Sequence, residues 1–517
     1  MKTFTSQHQN QGEKIMQYLI GIDAGTSNVK AVLFDALGRE IRTEAIENEP
    51  IYVGEVGVEQ NMSLLWDKIA VCIKQIVEAG PASKDDIAGI GVTGQGEGIW
   101  LVDENGEPLQ NAILWCDGRA ADEVAALTET RPELGELLFR TTGSPPLTGT
   151  QMVLLKWMAD HRKDVLDRAA HMLFCKDWIR YKMTGIYAGD FSDGSTSAIL
   201  DAQTGQPARQ VFKALGLEKY ADLVPPVKAS ADVAGGLTDE AAAALGLNPG
   251  TPVIAGAIDV VATAVGIGAI GVSDVCTILG TTCATETFRH KADCNFGGPQ
   301  TRWLKHAVGD LFMNLQATMN GTPNLDWALN EVALTQDFDQ IEAMIQDQPV
   351  GSGGVIYHPY VSAAGERAPF YDPHAKANFF GISAQTTRAD LIHAVYEGIT
   401  LSIKDCLRGL DANAKVYLAG GGAKSAVWAQ MIADALGVQT IISAGSEFGA
   451  KGAAMMAGIA AGVYAHFEDA KRACCFAEKT YLPDPKKTER YDELYGIYVE
   501  LREAMADPWR RRAAFLK

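Results

Sequence analysis

YLIGIDAGTSNVKAVLFD, residues 18–35, is the stretch on which the reading of this chain turns. Two apolar runs, YLIGIDAG and VKAVLFD, flank a tight turn of small residues. A second turn at Ala36–Gly38 leads into REIRTEAIE, so a β-meander opens the domain. Asp23 stands where the first strand ends, with Ala24, Gly25, Thr26 and Ser27 after it. Such a turn exposes consecutive N–H groups and hydroxyls to a phosphate, and its carboxylate suits Mg²⁺ held through water. The same residues also make an ordinary hairpin turn.

The theme returns at Val275 in VCTILGTTCATETF, where Leu279, Gly280, Thr281 and Thr282 form the turn. Paired, the two stretches supply phosphate-binding hairpins on opposite lobes. Only the coarse pattern repeats, which predicts two lobes of related build with a boundary near Gly256. Residues 1–15, MKTFTSQHQNQGEKI, read as a disordered extension, 16–256 as a first domain and 257–517 as a second. Between the hairpins lie a helix at Met62–Ala79, a buried strand at Ile87–Val92 ending in TGQGEG, and a mostly helical region from Ala120 to Leu217. GTPVIAGAIDVVATAVGIG from Gly250 and KVYLAGGGAKSAVWAQMIADALG from Lys415 each run from strand to helix, and a charged helical tail starts near Pro483. The class is α/β.

Composition narrows the function. At about 100–200 residues per domain, 517 residues make two large domains or three small ones. The charge is 45 − 64 = −19 with no Lys/Arg block, which argues against a nucleic-acid partner. No apolar run approaches the ~20 residues of a membrane span, and the first fifteen residues lack the apolar core of a signal peptide. Nine cysteines at irregular spacing, without C-x-x-C, predict neither a disulfide framework nor a zinc site; reduced thiols suit the cytoplasm.

Three further groups carry chemistry. Gly420, Gly421 and Gly422 lie between a strand and a helix, where backbone can approach a ligand; the run is neither a Walker A nor a Rossmann motif. Asp259 stands among apolar residues where a strand gives way to a helix, which suits a general base or a helix N-cap. Gln95, Gly96 and Glu97 follow a buried strand, and Trp115–Arg119 comes twenty residues on. Their amide, carboxylate and guanidinium groups suit a polyhydroxylated ligand, or a plain surface loop.

Together these residues resemble the FGGY family of carbohydrate kinases, from Tyr18 to about Tyr495. TGTQMVLLKW, residues 148–157, is similar to the family's first signature. Residues 377–397 match the second at Phe379, Gly381, Ile382, Asp390, Leu391, Ala394 and Glu397. The resemblance implies two RNase H-like domains of the actin/hexokinase type closing over ATP. It implies Asp23 near Mg²⁺, Thr26 and Ser27 near phosphates, Gly280 and Thr281 at the γ-phosphate, and Gly421 and Gly422 beside adenosine. It implies Asp259 as the base on the accepting hydroxyl; Gln95, Glu97 and Asp117 are the candidate substrate contacts read from the loops themselves. VTGQGEGIWLVD from Val92, FCKDWI from Phe174 and YHPYVSAAGERAPF from Tyr357 look most like erythritol kinases; L-xylulose and 3-keto-gulonate kinases share related segments. Glycerol kinases carry Arg where this chain has Gly96, which implies a roomier, less positive pocket here and a four- or five-carbon polyol or ketose. A partner-binding nucleotide switch of the actin or Hsp70 kind would keep the hairpins but need no Asp259, Gln95, Glu97 or Asp117. A homo-oligomer stays open.

Overall fold

The opening meander forms as expected. β1 (Tyr18–Ala24), β2 (Asn28–Asp35) and β3 (Glu40–Glu47) pair antiparallel in sequence order. β1 is central and buried along almost its whole length, while β3, at the sheet edge, alternates between half-buried and exposed positions. Its REIRTEAIE pattern is what an edge strand with one solvated face requires. The computed structural model describes residues 17–280, 282–296, 302–319, 321–335 and 337–516. The expected extension 1–15 and Thr281 lie outside the described residues.

Helix α1 (Met62–Ala79) fills the expected range; Asn61 caps it by accepting from Leu64 N, and Leu65, Ile69, Ile73 and Ile76 are buried. It leads to β4 (Ile87–Gly94), which runs parallel to β1 with Gly21 opposite Gly91. β5 (Val233–Gly236), β6 (Pro252–Ile254) and the short β7 (Ala257–Ile258) complete a seven-stranded sheet of order β5-β6-β4-β1-β2-β3, with β7 also on β4. The intervening mostly helical region includes α2 (Cys175–Thr184) and α3 (Phe191–Thr196). Helix α4 (Asp259–Ile267) then crosses to the second sheet.

That sheet is built from β8 (Asp274–Leu279), β9 (Cys283–His290), β10 (Trp303–Lys305), β11 (Leu311–Thr318), β12 (Lys415–Ala419), β13 (Gln439–Ser443) and β14 (Ala477–Tyr481). Its order is β10-β11-β9-β8-β12-β13-β14. Both sheets set a run of antiparallel strands beside parallel ones in the same succession, three in the first and four in the second, where β10 adds an edge. Helices α5 (Arg388–Cys406) and α6 (Ala426–Leu436) cover the second sheet, and the tail forms α8 (Pro485–Phe515) after α7 (Phe448–Ala460). All nine cysteines are free, and among the described residues no helix is long and apolar enough to cross a membrane.

The two halves meet through α7, which packs on β1, β4 and α4. The contact is backbone to backbone: a Cβ on Gly21 would lie 1.9 Å from the Ala450 carbonyl oxygen, and one on Gly91 2.0 Å from that of Ala453. On the α4 side, a Cβ on Gly452 would lie 1.9 Å from the Ala262 carbonyl oxygen. At its start, α7 is clasped by the first sheet: Glu40 accepts from Ser446 N at 2.8 Å and Glu447 N at 3.1 Å, and Lys30 pairs with Glu447 at 2.8 Å.

A methyl group at such a contact forces the backbones apart. Gly91→Ala is expected to destabilise the protein by ~1–3 kcal/mol, the usual cost of overpacking. Gly496→Ala, in α8 with nothing within 4 Å of the new methyl, is expected to move stability slightly the other way. Urea unfolding midpoints of the two variants check the opposite signs.

Candidate active site

Strand register brings the Asp23, Gln95 and Asp259 groups together. β1, β4 and β7 lie side by side, with Asp23 opposite Thr93 and Ala24 and Ile258 both opposite Gly94. The residues that follow therefore leave the sheet at one edge, Gly25–Ser27 just past Asp23, then Gln95–Gly98 and Asp259. Thr26 Oγ1 donates to Gln95 Oε1 (2.9 Å), Gln95 Nε2 donates to Gln60 Oε1 (2.6 Å), and the Trp115 indole donates to Thr26 Oγ1 (3.0 Å). The turn after Asp23, the Gln95–Gly98 loop and the half-exposed Trp115 thus share one hydrogen-bonded chain. Ser27 is exposed beside it.

Asp259 is the first residue of α4, and Ile258 holds the N-cap position, so Asp259 is not the cap. Its Oδ1 accepts from Val260 N at 2.7 Å. Burial pushes its pKa up to about 7, the charge of Asp23 adds to the rise, and the Val260 N–H opposes it. Burial also pushes Asp23 up to about 6, against the pull of Lys30. The Asp23 carboxylate lies over Gly449, where a Cβ would come within 2.5 Å of Oδ2, so a side chain at that position of α7 would push the carboxylate aside.

At Gly96, neighbouring side chains take the direction in which a side chain would project. A Cβ on Gly96 would lie 2.0 Å from Ile258 Cδ1 and 2.9 Å from Asp193 Oδ1, so Ile258 and Asp193 already fill the volume that a side chain would take. The pocket is not short of positive charge either. Arg302, from the second half, donates through Nη2 to Glu97 Oε1. Glu97 is 8% exposed and sits in the left-handed region at φ 60°; burial raises its carboxyl, and Arg302 works against that rise. Asp117 does not open onto the cleft: it is fully buried, Oδ2 accepts from Val58 N (2.6 Å) and Oδ1 from Arg119 N (2.8 Å) and Nε (2.9 Å).

Beneath this edge lies a cluster that sequence reasoning passed over as helix and polar loop. Lys176, Asp177, Arg180, Asp190 and Asp193 are all fully buried, with Lys176 Nζ at 2.7, 2.8 and 3.1 Å from Asp177, Asp190 and Asp193. Asp190 accepts from Ser192 Oγ (2.7 Å), which in turn accepts from Ile258 N (2.9 Å), one residue before Asp259. The sole sequence signal was a Lys-Asp pair inside the apolar FCKDWI. The first signature stretch braces the same loop: Gly149 O accepts from Gly98 N (2.9 Å), and the Gln151 amide donates to Gly98 O (3.1 Å).

The second sheet supplies the other edge. β8 and β12 are parallel neighbours, so Gly280 and the Gly420–Gly422 run follow adjacent strand ends. Gly420 has φ 85°, and a Cβ there would lie 2.5 Å from Leu279 O. Gly421 is open, with nothing within 4 Å of an added Cβ, and Gly280 is nearly so. Gly422 differs: a Cβ would lie 2.5 Å from the Trp428 ring, so packing alone demands glycine there.

Residues 18–266 match the FGGY family of carbohydrate kinases, N-terminal domain, and residues 275–461 match its C-terminal domain. An erythritol kinase of Brucella abortus (strain 2308) is 32% identical over 516 residues, covering 96% of this chain and 98% of the relative. An L-xylulose/3-keto-L-gulonate kinase of Escherichia coli (strain K12) is 29% identical, covering 95% and 97%. The crystal structure of a gluconate kinase from Lactobacillus acidophilus superposes with a TM-score of 0.88 at 23% identity, covering 96% of this chain and 99% of that one, and shows the shared fold. The chain belongs to the FGGY family of carbohydrate kinases.

Proposed function

We propose that this kinase transfers the γ-phosphoryl group of ATP to a terminal hydroxyl of a small neutral polyol, with a four-carbon, erythritol-like chain favoured. The observation that carries the reading is Asp259: a carboxylate held at about 7, at the head of a helix, on the same strand-end edge as the raised Asp23 and the polar Gln95 and Glu97. A base with that affinity is matched to taking a proton from an alcohol near neutral pH. The erythritol kinase relative supports the chain length; the L-xylulose kinase relative keeps a ketopentose as the second reading. Membership in a kinase family argues against the nucleotide switch. The division at residues 256/257 and a cytoplasmic setting, which nine free thiols suit, belong to the same proposal.

The residues fit Mg²⁺ and ATP. Asp23 and Asp259 are hard oxygen donors, and the burial that raises both makes a nearby cation favourable for their ionised forms. Among the described residues no group of three or more His, Cys, Asp or Glu forms a closed metal site. Mg²⁺ held by one carboxylate, phosphates and water is the arrangement such a donor set allows. Mg·ATP would supply the phosphoryl group and a counter-charge for it. Asp23 would hold the metal, the turns at Thr26–Ser27 and Gly280–Thr281 would offer N–H groups to phosphate, and open Gly421 would let adenosine approach the backbone, with Gly422 keeping that loop on Trp428. Asp259 would take the proton from the attacking hydroxyl, whose chain Gln95 and Glu97 would orient. Asp117 would act by holding Arg119 and the Val58 backbone. Packing of the two lobes would exclude water from the transfer.

Two outcomes follow for Asp259. Asp259→Asn is expected to lower kcat by ~10²–10⁴-fold while nucleotide still binds; retention of more than about half the activity would overturn the role. In the wild type, the base works only when ionised. Initial rates at low polyol should therefore give a kcat/KM that falls tenfold per pH unit below about 7 and levels off above it; a flat profile between pH 5.5 and 8 removes Asp259 as the base. For the substrate, a panel of tetritols, pentitols, ketopentoses and glycerol should show a four- or five-carbon compound ahead of glycerol by about tenfold in kcat/KM. Glycerol as best substrate would sink the proposed chain length.

A further inference from the structure

Arg302 reaches the sugar loop from the other half of the chain, and its position is fixed from both sides. It immediately precedes β10, which pairs with β11 in the second sheet. The same segment is stitched to the first half: Trp303 N donates to Gly143 O (2.9 Å), and Lys305 N donates to Ser195 Oγ (2.8 Å) at the end of α3. Arg302 therefore arrives beside Glu97 on a strand that belongs to one sheet and is hydrogen-bonded to the helices of the other lobe.

The guanidinium is only partly used. Nη2 serves both Glu97 Oε1 and, at 3.3 Å, the Thr196 carbonyl, while Nε–H is buried and has no acceptor among the described residues. An arginine placed only to neutralise a carboxylate favours the two-pronged pairing that its fork allows. Here one prong is left over, in a buried place where an unpaired charged donor is costly. Glu97 is itself held in the left-handed region, a strain found where surroundings fix a side chain for a purpose. Gly96 has no side-chain donor, and Ile258 and Asp193 occupy the place that a side chain would take.

We infer that Arg302 is a specificity-determining residue for the polyol, its free Nε–H donating to a substrate hydroxyl that Glu97 accepts from, so that the substrate is gripped from both lobes. The inference rests on the proposed polyol kinase reading and deepens it. The Glu97–Arg302 pair is neutral as a whole, and Asp259 and Asp23 lie on the same side. The ligand class is thus an uncharged polyol with neighbouring hydroxyls, one to donate and one to accept. It also makes recognition depend on the juxtaposition of the lobes, since the accepting and donating groups come from different ones.

The test uses the full-length chain with erythritol as probe. Arg302→Lys keeps a cation for Glu97 but has no Nε–H in that place; Arg302→Met keeps neither. Both are expected to raise KM for erythritol by about tenfold, the loss of one charged hydrogen bond, with KM for ATP unchanged. Only the Met variant should lose melting temperature, because only it breaks the ion pair. A Lys variant with wild-type KM for erythritol would overturn the inference. So would a pair of variants that merely melt lower while binding polyol as well as wild type. Calorimetric titration with erythritol in the absence of ATP separates this contact from the transfer reaction. Wild type that binds erythritol but never phosphorylates it sinks the kinase-substrate reading and leaves the contact standing if Arg302→Lys weakens that binding. Wild type that does not bind erythritol overturns the contact.

Discussion

Everything in this molecule depends on one close approach: α7 lying with its backbone against the backbones of β1, β4 and α4. Side chains normally hold helix and sheet about 10 Å apart. At Gly21, Gly91 and Gly452 no Cβ intervenes, and carbonyl oxygens occupy the places where one would stand. The reward is rigidity where it matters. Asp23 ends β1, Asp259 begins α4, and α7 is the element that touches both. Tight contact of this kind is also all-or-none, because packed interiors resist small displacements rather than yielding to them.

Much of this was legible in the sequence because it rests on local patterns. The meander at 18–47, the helix at 62–79 and the strand–turn repeat at Val275 follow from apolar periodicity and turn chemistry, which need no partner to be read. β4 ran two residues past its expected end, since Thr93 and Gly94 are drawn into pairing with β7, a strand 164 residues away. What escaped was non-local. A missing side chain at Gly96 looked like empty space, yet whether space is empty depends on what packs in from elsewhere, here Ile258. Arg302 carries no local signature at all; its importance comes from a fold that places it 205 residues from its partner. Asp117 read as a ligand group because its neighbourhood is polar, whereas the structure spends both its oxygens on Arg119 and Val58.

The buried cluster around Lys176 shows the same lesson from the energetic side. Three carboxylates and two cations are withdrawn from water, which is costly unless each is paired and hydrogen-bonded. Asp190 is: Lys176 and Ser192 hold it below the usual carboxylate range despite its burial, and Ser230 Oγ donates to it as well. Asp193 is held more loosely, by Lys176 at 3.1 Å and Glu97 N at 3.4 Å, and burial raises it. It also lies against Gly96, so a loosely held member of the cluster abuts the Gln95–Gly98 loop. The cluster binds few groups of the cleft directly, but through Ser192 and Asp193 it sets where the strand before Asp259 and the loop at Glu97 stand.

The clasp at the start of α7 has a mechanical consequence. Glu40 holds the N–H groups of Ser446 and Glu447, and Lys30 holds the Glu447 side chain, so that end of the helix is tied to the first sheet. Gly449 and Asp23 lie one turn further in. Any rotation of one lobe on the other that keeps these bonds has its axis close to that knot. Displacement grows with distance from an axis, so the carboxylate of Asp23, beside the knot, would stay nearly still. The turn that follows Asp23 then sits at the rivet of the two lobes rather than at their tips.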